Sequence, residues 1–134
     1  LYYFKDKNEI ITATLGVMGD RLEIILGDRA APQPIPLEKL QPALLKAALD
    51  DDLWPYMRMW LEISALAAHG DAFYRAVGQQ LGERFLDWGH AQLKSASPRK
   101  RRSEAAGLLL TIEGALLLKS VGMTDAIKDA TGIS

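Results

Sequence analysis

The sequence predicts an all-α protein of five to six helices. Apolar residues recur at steps of three and four positions through most of the chain, which is the spacing of one helix face. Helix-capping residues precede several of these segments. The 134 residues are 49% hydrophobic and carry a formal net charge of −1. They are enough for one domain with a core, and they offer no overall basic surface for nucleic acid.

The first helix is predicted over residues 7–26. Asp6 is a capping residue and Glu9 follows three positions later, which is the pattern of a capping box. A strand over residues 22–26 is the local alternative, but no later segment offers a partner strand, so we prefer the helix. The apolar positions of this segment follow a helical repeat: Ile10, Ile11, Leu15, Met18, Leu22 and Ile25.

Residues 27–36 are predicted to connect this helix to a short second one, because three prolines at alternate positions favour an extended path. The second helix is expected over residues 37–49. Three aspartates at residues 50–52 then favour the positive end of a third helix over residues 53–68. The third helix is apolar on almost every side, so we expect it at the centre of the fold.

A fourth helix is predicted over residues 72–94, with Asp71 as its cap. A polar loop over residues 95–102 follows, and it contains the basic run Arg99-Lys100-Arg101-Arg102. A short cluster of this kind can contact DNA or a membrane. We interpret it instead as a solvated loop, because acidic residues dominate elsewhere.

The fifth helix is predicted over residues 102–120. Gly122 is expected to end it in a left-handed conformation, which glycine adopts without steric cost. Thr124 is then expected to cap a short final helix over residues 125–130. These two elements complete the predicted bundle.

The opening segment, LYYFKDKNEII, combines an aromatic cluster, a lysine and a capping box at fixed spacing. It resembles the junction between the recognition helix and the next helix in the TetR/AcrR family of transcriptional regulators. The order and approximate lengths of the later helices resemble the regulatory domain of that family. The resemblance implies that residues 1–5 are the remnant of a helix-turn-helix domain lying upstream. It also implies that residues 6–134 bind an effector and dimerise in a TetR-like bundle.

In that family the aromatic and lysine positions of this junction contact the DNA backbone. The resemblance therefore implies such contacts for Tyr2, Tyr3 and Lys7 in the intact protein. Contacts to phosphate position a protein on DNA without reading its sequence. The alternative is that the tyrosines and Phe4 pack a helix-turn-helix core and that Lys7 is solvated. Leu1 occupies the place of the family's usual first tyrosine.

An effector cavity is expected around the third helix, because aromatic rings, methionines and a few polar groups are typical of small-molecule sites. Core packing is the alternative, and for any single residue it is the more frequent role. Glu113 lies within the apolar run LLLTIEGALLL, so it needs a partner, water, or a cationic or hydroxylated effector. The candidate effector residues are Ile11, Leu15, Met18, Trp54, Met57, Trp60, Ser64, Phe73 and Glu113.

The fourth and fifth helices are the candidates for a dimer interface, since the family builds a four-helix bundle from two helices of each subunit. An obligate two-fold interface is apolar, like a domain core cut in half. The alternative is that the same apolar stripe packs within one subunit. The candidate interface residues are Leu81, Phe85, Trp88, Leu109 and Leu116.

The sequence and the resemblance together predict a ligand-responsive transcriptional regulator, expected to be a repressor. It is expected to be a cytoplasmic homodimer that binds operator DNA through the upstream domain and responds to a small, mostly apolar effector. A helical interaction scaffold without a ligand is the main alternative, and a small helical enzyme is a weaker one. The chain has no Cys, only two histidines and no Gly-rich phosphate loop. No catalytic residue, metal, cofactor or membrane contact is predicted.

Overall fold

The computed structural model describes residues 6–30 and 33–133, and helices make up most of this part of the chain. Its only β-type pairing within those residues is a single parallel bridge between Ile35 and Leu93. The all-α prediction is therefore confirmed. The helices are α1 (Lys7–Ala30), α2 (Leu37–Ala48), a 3-10 turn (Asp51–Leu53), α3 (Trp54–Ala68), α4 (Ala72–Gln92), α5 (Pro98–Ser120) and α6 (Thr124–Thr131).

The start of α1 is fixed by its predicted cap. Asp6 Oδ1 accepts a hydrogen bond of 2.8 Å from the backbone N–H of Glu9. The helix runs to Ala30 rather than to residue 26, so the prediction of a connector was wrong for residues 27–30. Leu26 and Ala30 are buried in the main core, and this packing outweighs the low helix propensity of Gly27.

One tight turn precedes α3, and a second connects α3 to α4. Asp50 Oδ1 accepts a hydrogen bond of 2.8 Å from the N–H of Asp52 and begins the 3-10 turn that leads into α3. Gly70 then reverses the chain at φ 99°, a value that side chains disfavour. Asp71 caps α4 as predicted, with its Oδ1 accepting from the N–H of Tyr74 at 3.0 Å.

The ends of α5 differ from the prediction at one side only. Ser97 caps the helix by accepting a hydrogen bond from the N–H of Lys100, and Pro98 occupies the first turn. The basic run of residues 99–102 is therefore helical, and the prediction of a loop there was wrong. Gly122 has φ 79°, as predicted. Thr124 is the first residue of α6 and makes no cap hydrogen bond, so its predicted role was also wrong.

The helices pack so that α4 contacts both α3 and α5, while α2 contacts α1 and α5. Gly89 of α4 allows α4 and α5 to pack closely, since a Cβ there would lie 3.6 Å from the Cβ of Ala105 in α5. The side chains that are almost completely buried are Leu40, Leu44, Leu45, Leu108 and Leu116. None of the described helices has the length and apolar composition that crossing a bilayer requires.

Candidate ligand cavity

A cavity of about 150 Å³, partly open to solvent, lies among α1, α2, α3, α4 and α5. An apolar cavity of about 150 Å³ in another protein accepts benzene, so this space suits a compact ligand of about one ring. Most of its wall is aliphatic or methionine: Leu15, Met18, Leu22, Leu26, Leu44, Ala48, Met57, Met59, Ile63, Leu81, Leu109, Ile112 and Leu116. Its aromatic rings are Tyr56, Trp60, Phe85 and Trp88, and its charged side chains are Glu23, Arg84 and Glu113.

One polar contact crosses the cavity wall between α3 and α5. The indole Nε1–H of Trp60 donates a hydrogen bond of 2.6 Å to Glu113 Oε2. Both side chains are half-buried. Burial raises the pKa of Glu113 above its ordinary value, because removal from water disfavours the charged carboxylate, and the hydrogen bond from Trp60 opposes that rise.

Glu113 has no cationic partner among residues 6–30 and 33–133. Its carboxylate therefore has the indole as its charge-stabilising contact within the described structure. A half-buried carboxylate with spare acceptor capacity at an apolar cavity can accept hydrogen bonds from a ligand.

A second polar group joins α4 to α1. Arg84 donates to both carboxylate oxygens of Glu23, at 2.6 Å from Nε and 3.0 Å from Nη2, and it also pairs with Asp20. Hydrogen bonds to Glu23 and then to Asp20 raise the pKa of Arg84 above its ordinary value. Gly19 makes room for the guanidinium, since a Cβ there would lie 2.9 Å from Nη1.

The predicted effector residues separate into two groups. Leu15, Met18, Met57, Trp60 and Glu113 line the cavity. The other four predicted residues do not line it. The third helix contributes to the wall as expected, and α1 contributes a longer stretch of it than the prediction assigned.

Ile11 and Phe73 pack in a smaller cluster around Ile63 and do not line the cavity. Trp54 packs at the edge of the main core, where the Lys119 ammonium lies 4.7 Å from its ring centroid. Ser64 donates a hydrogen bond of 2.8 Å to the carbonyl oxygen of Trp60 in its own helix. These four side chains are therefore not part of the cavity wall.

The predicted dimer residues all line the cavity. Leu81, Phe85, Trp88, Leu109 and Leu116 were predicted at a dimer interface, with packing inside one subunit as the alternative, and all five belong to the cavity wall of the single chain. Leu116 is only 1% exposed, whereas the other four are half-buried. Their role in a dimer stays a prediction.

The outward apolar face of α5 consists of other residues. Leu110 is 76% exposed, Leu117 is 58% exposed and Val121 is 62% exposed. Gly107 and Gly114 lie on the same side at helical spacing, and no atom lies within 4 Å of a Cβ built on either. We call these five residues the outer face of α5.

Sequence reasoning missed Arg84 and Glu23 as members of the site. The available signal was a charged residue within the apolar stripe of the fourth helix, since Arg84 lies between Leu81 and Trp88 at helical spacing. Its partner on the first helix is 61 residues away, and no sequence pattern connects the two.

The predicted DNA contacts lie at the start of the chain. Tyr2 and Tyr3 lie outside the described residues. Lys7 is the first residue of α1, and it is exposed. Residues 6–30 and 33–133 contain no group of three metal-ligating side chains that could hold an ion.

No protein-family model, curated protein or solved structure matches this chain. The resemblance to TetR/AcrR regulators therefore stays a prediction from the opening motif and the order of the helices.

Proposed function

We propose that this chain is the effector-binding and dimerisation body of a TetR-like transcriptional regulator. In this proposal a small, mostly apolar effector occupies the cavity, and the response is transmitted to an upstream helix-turn-helix domain that binds operator DNA. The observation that carries the proposal is that α1, the helix that follows the aromatic–lysine motif, forms one wall of the cavity through Leu15, Met18 and Leu22.

The coupling follows from how α1 is held. The Arg84–Glu23 pair ties α1 to α4 at the cavity wall. A ligand that pushes α1 and α4 apart must stretch or break the Arg84–Glu23 ion pair. A ligand that fits between the two helices without moving them stabilises the arrangement in which the ion pair is formed. Either ligand shifts the position of α1 only by its difference in affinity for the two arrangements.

Dimerisation is proposed through the outer face of α5. Three exposed apolar side chains at steps of seven and four residues suit a helix pair, and the two glycines allow close approach of the backbones. Apolar side chains this exposed on one helix are typical of an interaction surface. A regulator with two such bodies presents two DNA-binding heads, as a palindromic operator requires.

The experiment that tests the proposal uses the chain together with its upstream residues. Operator binding is measured in a gel-shift titration with and without a cavity ligand, over a range of salt concentrations. The proposal expects binding that weakens steeply with salt, because phosphate contacts release counterions, and an affinity that changes when the cavity is occupied. A protein that binds no DNA under any condition would contradict it.

A helical interaction scaffold is the second candidate. The exposed apolar residues of α1, Ile10, Val17 and Ile24, favour it, since they form a further unpartnered stripe at steps of seven. A scaffold needs no ligand, so a cavity that stays empty at every ligand concentration separates it from the regulator. Ligand-dependent stabilisation that grows with concentration favours the regulator.

A further inference from the structure

We propose that the cavity selects organic cations, specifically a protonated amine or quaternary ammonium on a compact apolar body. This inference rests on the proposed role of the cavity as an effector site and names the chemistry of its ligand. It is carried by the combination of an unpaired carboxylate, four aromatic rings and a net negative lining.

The carboxylate of Glu113 is the group in the cavity wall that would bind a cation. Glu113 accepts a hydrogen bond from Trp60 but has no ion pair within the part of the chain that the structure describes. An ammonium group that reaches the remaining oxygen forms a charge-assisted hydrogen bond, which is stronger than a hydrogen bond from a neutral hydroxyl. The bond also restores part of the stabilisation that the charged Glu113 carboxylate loses when it is removed from water.

Four aromatic rings of the cavity wall also favour a cation. Trp60, Trp88, Phe85 and Tyr56 all line the same space, and the rings of Phe85 and Trp88 lie 6.0 Å apart at a tilt of 39°. A cation within about 6 Å of an aromatic face is attracted by the ring quadrupole, most strongly by tryptophan. Rings around an apolar space therefore accept a cation more readily than an aliphatic wall does.

The charges of the lining also favour a cation. The positively charged side chain among the lining residues is Arg84, and its guanidinium is already engaged by Glu23 and by Asp20, which lies outside the lining. The charges of Arg84 and Glu23 cancel, so the lining has a net charge of −1 when Glu113 is ionised. An anionic ligand would meet repulsion at Glu113 and would have to displace Glu23 to reach Arg84.

The test uses three probes of nearly equal size. Benzylamine is a cation at pH 7, benzyl alcohol is neutral and benzoate is an anion, and each is titrated into the chain by calorimetry at pH 7. Benzylamine is expected to bind about tenfold or more tightly than benzyl alcohol, as one charge-assisted contact predicts. Benzoate is expected to bind most weakly.

The substitution Glu113→Gln removes the charge and keeps an acceptor for Trp60. It is expected to reduce the preference for the amine over the alcohol to about threefold or less, while the affinity for the alcohol stays within about twofold. The matched control is Glu62→Gln on the exposed side of α3, which should keep the full preference. Circular dichroism of both variants verifies that they are folded.

Three outcomes would overturn parts of the account, and they are distinguishable. Equal affinity for the amine and the alcohol in the unmodified chain overturns the cation preference and leaves the cavity as a ligand site. A preference that survives in Glu113→Gln overturns the role of Glu113. Failure of all three probes to bind overturns both the cation preference and the cavity as a site for ligands of this size.

Discussion

Trp60 and Glu113 lie 53 residues apart in the sequence, and they form a hydrogen bond of 2.6 Å between α3 and α5 at the wall of the cavity. One partner is an indole with a large apolar surface, and the other is a carboxylate in a mostly apolar helix. The contact supplies a polar point in an otherwise apolar space, so it fixes where a ligand can form a directional interaction.

Replacing Trp60 by Phe is expected to lower the free energy of unfolding by about 1–2 kcal/mol more than the smaller ring alone would, because the hydrogen bond to the Glu113 carboxylate is lost. The loss is not larger because water still reaches part of that carboxylate. Urea unfolding measures the effect. Trp88→Phe is the control, since Trp88 also lines the cavity and makes no hydrogen bond to Glu113 within the described structure. Equal destabilisation by both variants would contradict a stabilising contact.

Glu113→Gln tests the direction of the pKa shift. A carboxyl group whose pKa is raised on folding binds its proton more tightly in the folded state than in the unfolded state. The unmodified chain should therefore lose stability relative to the variant as the pH rises through the ordinary glutamate range and up to the raised pKa of Glu113. Urea unfolding at a series of pH values from 4 to 8 measures the difference, with Glu62→Gln as the control for loss of one carboxylate. A variant that becomes relatively less stable with rising pH would contradict the sign.

Arg84→Gln is expected to loosen α1. It removes the guanidinium and leaves Glu23 and Asp20 near one another, so α1 should detach from α4 more often. The cost in free energy of unfolding is about 1 kcal/mol, because the side chains are partly exposed and screened by solvent. Amide hydrogen exchange should become faster in α1, whereas the exposed Arg75→Gln in the same helix should leave it unchanged. If amide exchange in α1 is the same in Arg84→Gln as in the unmodified chain, Arg84 does not hold α1 against α4.

The outer face of α5 predicts the oligomeric state. The unmodified chain is expected to be a dimer by analytical ultracentrifugation, and the double substitution Leu110→Glu with Leu117→Glu is expected to convert it to a monomer with unchanged helix content. Both side chains are exposed in the single chain, so their loss costs the monomer little. Leu66→Glu on α3 is the matched exposed control and should remain a dimer. A dimer that survives the double substitution would contradict this interface.

Much of the fold could be predicted from the sequence because its signals are local. The caps at Asp6 and Asp71 depend on one side chain and the next turn, and both were confirmed. The run of four basic residues at the start of α5 was predicted to be a polar, solvated loop. Ser97 and Pro98 start a helix there, although basic residues in the first turn oppose the helix dipole. The length of α1 past Gly27 depends on burial against α2, which no local pattern shows.

The orientation of α5 could not be predicted with the same certainty. Leu109 and Leu116 line the cavity, whereas Leu110 and Leu117 face outward, and each pair differs from the other by one position, or about 100° around the helix. A run of consecutive leucines satisfies either choice. The hydrogen bond between Trp60 and Glu113 could not be predicted either. The sequence shows Glu113 as an isolated carboxylate, but its contact with Trp60 forms only when α3 packs against α5.

Gly82 offers a way to close the cavity. It lines the space, and no atom lies within 4 Å of a Cβ built on it. Gly82→Ala should stabilise α4 by about 0.5–1 kcal/mol through helix propensity. Gly82→Leu should gain the same amount and fill part of the cavity, so it should bind benzylamine at least about tenfold more weakly than Gly82→Ala does. Calorimetry measures the affinity of both variants for benzylamine. Equal affinities would show that benzylamine binds outside this cavity.

The most direct test of the account is hydrogen exchange in α1 with and without saturating benzylamine, measured in the unmodified chain and in Gly82→Leu. The account predicts that the ligand changes the exchange of α1 amides in the unmodified chain and has a much smaller effect in Gly82→Leu at the same ligand concentration. Benzylamine that binds the unmodified chain and leaves α1 exchange unchanged would contradict a cavity coupled to α1.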